Sequence, residues 1–196
     1  MIMVLVLAVA LLIAMLRGGR LARLASLPLR WPAVPIAVFA LQSTVIYLPG
    51  PWLLGQRNPA GFILPFSYLV LLAVVWVNRR IPGMVLIGLG LVLNLAVILA
   101  NGGYMPVTPE VLQSIGHGDH VAAMEPGARV DSSKDIVLPR EQTRLWVLSD
   151  IFPLPPPFPI PSAFSLGDVL AAAGIFVAVQ LALVGPAARK ERSLPA

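Results

Sequence analysis

Five apolar runs punctuate the chain. Residues 1–16 carry neither charge nor polar side chain, and residues 32–48, 62–77, 84–100 and 166–184 repeat the pattern with few polar interruptions. Runs this long without two-residue alternation predict helices, and helices apolar on every face belong in a bilayer or a deep core. At about 1.5 Å per residue the first run is short for a hydrocarbon core of ~30 Å. Its helix is therefore expected to continue through Leu21 and Leu24, with Arg17, Arg20 and Arg23 snorkelling to the headgroups. The pattern predicts an all-α membrane protein with five transmembrane helices near residues 1–24, 32–48, 62–78, 82–100 and 165–185. An outward-facing cap of short helix, loop and proline-rich segment fills residues 101–164.

Composition sharpens this class. The 196 residues are 58% hydrophobic and 12% charged, with a mean hydropathy of +0.85, against about 45–50% and about 25% in soluble domains. The net charge of +5 does not imply nucleic acid, because the basic residues cluster beside apolar runs. Arg17, Arg20, Arg23 and Arg30 follow the first run, Arg79 and Arg80 the third, and Arg189, Lys190 and Arg192 the fifth. Arg57 stands alone on the opposite side, and long segments count little toward orientation. This bias predicts a multi-pass plasma-membrane protein with an outside N-terminus, a cytoplasmic C-terminus and an outward cap. The expected partners are the lipid bilayer and a membrane-protein partner. With no cysteine in the chain, disulfides, thiolate metal sites and cysteine nucleophiles are excluded.

Within the apolar runs, Gln42, Ser43, Thr44 and Asn94 need partners on neighbouring helices. Asn94 and Asn101 lie seven apart and share a helix face. Asn101 and Gly102 read as the C-terminal cap of the fourth helix. Beyond them, Thr108-Pro109-Glu110 reads as a helix start and Gly116 as its stop. His117 and His120 flank only one carboxylate, so a solvated loop is expected and no metal. Residues 124–133 are rich in Gly, Pro and charge and are expected to be the most mobile part. Residues 135–138 suit a short strand. Residues 140–150 suit an interfacial segment with Trp146 at headgroup level. Six prolines in residues 153–161 predict an extended polyproline-like segment on the membrane surface or against the bundle. In F-S-L-G-D-V (164–169), Ser165 and Asp168 fit a capping box and Phe164 with Val169 a hydrophobic staple.

Candidate chemistry rests on two carboxylates. Asp150 and Asp168 both fall near the outer face, and two carboxyls sharing a site split their pKa values as in aspartic proteases. Asn101, Gly102, Gly103, Tyr104, Met105 and Pro106 return to the same face and form a candidate binding pocket beside them. No cofactor is implied.

R-G-G-R-L-A-R-L-A-S-L-P-L-R-W (17–31), N-G-G-Y-M-P-V (101–107), T-R-L-W-V-L-S-D-I-F-P-L-P (143–155) and F-S-L-G-D-V together resemble a bacterial family of small integral-membrane proteins catalogued as a domain of unknown function. Ser149 stands where the family pattern has Gly. The resemblance implies a five-span bacterial membrane protein and carries no catalytic residue. Three readings follow: a non-enzymatic membrane protein whose cap docks a partner or lipid, an intramembrane hydrolase or peptidase using Asp150 and Asp168, and a small-solute transporter. The scarcity of ionisable groups in mid-run counts against coupled transport.

Overall fold

The computed structural model describes residues 2–25, 27–47, 60–117, 124–130, 133–158 and 160–185. It is mostly helical. The long helices are α1 (Ile2–Leu16), α2 (Ala33–Tyr47), α3 (Ala60–Val77), α4 (Met84–Ala100) and, after the cap and its short helix α5 (Pro109–Leu112), α6 (Leu166–Val184). In space α6 lies between α1 and α4, α3 packs on the other side of α4, and α2 packs on α3. Of the described helices, α6, at 19 residues, is long and apolar enough to cross a membrane, and the others are shorter apolar helices.

The first helix does not continue to Leu24. It ends at Leu16, and Leu21–Leu24 forms a separate 3-10 turn. Gly18 takes a left-handed φ of 80°, and the Gly19 N–H donates to Ala14 O at 2.8 Å. This turns the chain, so that the Arg23 guanidinium donates to Leu183 O at the end of α6 (3.1 Å).

Small residues set the central contact, between antiparallel α4 and α6. A Cβ on Gly90 would lie 2.3 Å from Gly167 O, and one on Gly174 would lie 2.6 Å from Gly83 O. Backbones this close are the small-residue packing expected between helices in lipid. A second approach joins α3 to the cap. Pro65, inside α3, has no N–H to return to the Gly61 carbonyl. The backbone of Gly103 (φ 94°) packs onto that carbonyl, and a Cβ there would sit 2.0 Å from Gly61 O.

The cap contains more ordered pairing than its sequence suggests. β1 (Met105–Val107) and β2 (Asp135–Val137) run parallel, with Pro106 opposite Ile136. Val107, Leu112, Ile115, Val130 and Val137 form a small core beneath them. Residues 124–130, expected to be mobile, are tied to β2: Val137 N–H donates to Ala128 O (2.9 Å), and Gly127 N–H to Val137 O (2.7 Å). The proline-rich segment is not one extended rod. β3 (Phe152–Leu154) and β4 (Ser162–Phe164) pair antiparallel, folding the segment into a hairpin.

Candidate functional site

Polar side chains gather where the cap meets α4 and α6. Asn94 is the lone amide of α4 and is buried. Its carbonyl oxygen accepts from Ser165 Oγ (2.8 Å), and its Nδ2 donates to Asp168 Oδ1 (2.9 Å). Ser165 and Asp168 complete the capping box of α6: Asp168 N–H donates to Ser165 Oγ and Ser165 N–H to Asp168 Oδ2, both at 3.1 Å. The predicted box is therefore also an interhelical joint, closed by Asn94. The expectation that Asn94 bonds a neighbouring helix is met, with Ser165 and Asp168 as the partners that the sequence did not name.

Asp150 lies on the cap side of this joint. It is 1% exposed, its N–H donates to Pro106 O (3.2 Å), and its Oδ2 accepts from Lys134 Nζ (2.8 Å). Lys134 also lies 3.3 Å from Asp135 Oδ1. Two carboxyls around one ammonium leave one negative charge unbalanced. Burial pushes the Asp150 carboxyl up to about 8, against the pull of Lys134. Burial by itself would lower the Lys134 ammonium, but Asp135 and Asp150 hold it well above an ordinary lysine. Asp150 Oδ1 is buried without a hydrogen bond. Lys134 had no signal in the sequence, because only the β1–β2 pairing brings it beside residue 150.

Asp150 and Asp168 are close enough to interact through charge, yet each carboxyl is held by its own partners: Lys134 for one, Asn94 and Ser165 for the other. Asn101–Pro106 packs rather than gapes. Asn101 Nδ2 donates to Val97 O (2.8 Å) and Arg144 O (2.9 Å), and its Oδ1 accepts from Arg144 N–H (3.0 Å). Gly102 (φ 75°) is exposed, and the N–H of Gly103 donates to Ile98 O at 2.8 Å, closing α4 as its C-terminal cap. Tyr104 is half-buried, and its ring lies close to Gly61. Met105 and Pro106 are fully buried, Met105 among Tyr68, Leu95, Val97 and Ile98. The His120 position and the His117 side chain lie outside the described residues, and among those described no group of three metal-ligating side chains occurs.

A family model described as "Family of unknown function (DUF5317)" matches residues 26–180. No curated protein and no solved structure matches the chain.

Proposed function

The chain belongs to this family of unknown function, and from that premise, which supplies no activity, we propose a five-span bacterial plasma-membrane protein whose extracytoplasmic cap docks a partner or lipid and performs no chemistry. One observation carries the reading. Every long helix exposes large apolar side chains: Leu5 and Leu12 on α1, Ile36 and Phe39 on α2, Phe62 and Phe66 on α3, Val85 and Val92 on α4, Val169 and Leu181 on α6. Soluble monomers rarely expose apolar patches larger than a few hundred Å². The polar residues meanwhile turn inward. Gln42 Nε2 donates to Ser67 Oγ (2.5 Å), and Gln180 takes a bond from Arg17 (2.6 Å) and gives one to Ala10 O (2.8 Å). Lipid outside and satisfied amides inside is the pattern a bilayer requires.

Orientation follows from the ends. Asn78 binds the Arg30 peptide, and Arg17 and Arg23 reach α6 at the same end of the helices. The basic links are thus collected opposite the cap, and the positive-inside bias puts them in the cytoplasm. The absence of cysteine makes single introduced cysteines unambiguous reporters. An impermeant maleimide added to intact cells is expected to label Glu141→Cys in the cap, and Arg20→Cys only after lysis. The reverse pattern, or labelling of both before lysis, overturns the topology. Copurification of a stoichiometric partner from mild detergent supports docking. A purified monomer that turns over a lipid-linked substrate overturns it.

The hydrolase reading draws on one feature, the buried Asp150 carboxyl raised toward neutrality, where a general acid works best. It requires that Asp150→Asn and Asp168→Asn each abolish cleavage in protein that inserts and folds normally. Variants that only melt earlier assign both residues to structure.

A further inference from the structure

The hairpin of β3 and β4 carries an apolar surface that the cap core does not use. Phe152 stacks on Phe164 (ring centroids 5.4 Å apart), but Phe152 remains 40% exposed, Phe158 48% and Ile160 49%. No charged residue occurs from 151 to 167. We infer that the tip of this hairpin enters the headgroup–acyl boundary of the leaflet on the cap side and anchors the cap to lipid. This deepens the docking reading above and rests on the helices spanning the membrane.

Three observations favour lipid over a protein partner. The first is the scarcity of backbone donors. Six residues between 153 and 161 are proline, and an unmet N–H is what makes irregular backbone costly near hydrocarbon. Among the remaining donors, Phe158 N–H bonds Pro155 O (3.3 Å), Ile151 N–H bonds Ser149 O (2.8 Å) and Ser165 N–H bonds Asp168. Pro153, with no N–H to give, sits opposite Ala163, so the ladder is made by the pairs 152–164 and 154–162. The second is continuity. β4 passes through Ser165 directly into α6, whose first turn exposes Leu166 and Val169 as the lower helix exposes Leu181. On the spanning reading the hairpin is therefore rooted at the membrane boundary. The third is composition: aromatic and aliphatic side chains without charge suit an interface that rewards apolar burial.

The test uses the full chain in nanodiscs of phosphatidylethanolamine and phosphatidylglycerol, with an environment-sensitive fluorophore on Phe158→Cys or Ile160→Cys. Phe66→Cys, on the exposed face of α3, reports on spanning. The hairpin probes are expected to shift to the blue, to lose emission when lipids carrying a shallow nitroxide replace unlabelled lipid, and to resist aqueous iodide. If Phe66→Cys responds to lipid nitroxides while both hairpin probes show water-like emission and iodide quenching, the anchor is overturned and the spanning reading stands. Hairpin probes shielded from iodide but insensitive to lipid nitroxides also overturn it, indicating protein contact instead. If Phe66→Cys itself ignores lipid nitroxides, the spanning reading fails and the anchor with it.

Discussion

At the arginine end of the helices, Asn78 clamps the backbone of a single residue: it accepts from Arg30 N–H (2.8 Å) and donates to Arg30 O (2.9 Å), and it also donates to Val74 O (2.8 Å) in its own helix. At the cap end, Asn94 clamps two side chains, Ser165 and Asp168, and beyond them Lys134 serves Asp150 and Asp135. The first clamp is neutral and partly buried, while the guanidinium of Arg79 stays outside over the face of Trp76 at 4.6 Å. The second encloses charge. A buried charge tolerates no missing partner, so the cap end requires α4, α6, β2 and the residue 150 turn to be in place together. The arginine end tolerates loss more easily, because its clamp encloses no charge. The difference assigns cooperative assembly of cap and helices to the cap end.

That contrast can be broken in order of expected effect. Lys134→Met leaves Asp150 and Asp135 facing each other without a cation and is expected to destabilise by about 3–5 kcal/mol, read as a fall in the detergent melting temperature. Adding Asp150→Asn should return part of the loss. Asn94→Ala leaves the Ser165 hydroxyl proton without its acceptor and Asp168 Oδ1 without its donor and is expected to lose about 2 kcal/mol, with α6 loosening from α4 as measured by distance between paired spin labels. Asn78→Ala is expected to cost only about 1 kcal/mol in the same melting assay. A cost equal to that of Asn94→Ala would erase the contrast.

A test of direction rather than size is in pH. The Asp150 carboxyl lies at about 8 in the fold and near 4 in an unfolded chain, so the folded state holds the extra proton between those values. Its contribution is full below pH ~4 and is lost as pH rises through ~8. Melting temperature is therefore expected to decline across that window in the native chain and to flatten in Asp150→Asn, while Asn78→Ala keeps the native slope.

Much of this was legible along the chain. The apolar runs coincide with α2, α3, α4 and α6 because an uninterrupted apolar stretch satisfies its own backbone only as a helix. Ser165 and Asp168 announced their capping box because its bonds are local, three residues apart. Asn101 with Gly102 announced a C-terminal cap for the same reason. The structure departs from expectation at turns. Length argues for a first helix that runs past Gly18, whereas Gly18 in the left-handed region and the Gly19 N–H on Ala14 O close it. Proline stiffness is local and predicts an extended segment, whereas the hairpin brings Phe152 against Phe164, a pairing twelve residues apart.

By itself, then, the sequence determined the helices, their caps and the basic–apolar asymmetry, since these follow from periodicity, hydrogen bonds within a few residues and charge clustering. Only the tertiary structure decided that Asn94 closes the Ser165–Asp168 box and that Lys134 sits on Asp150. It alone also decided that Asp150 and Asp168 answer to different partners. Those residues lie 74 and 16 positions apart in their pairs, and a pairing at such separation is fixed by how close the glycines let α4 approach α6 and by which strands the cap folds together.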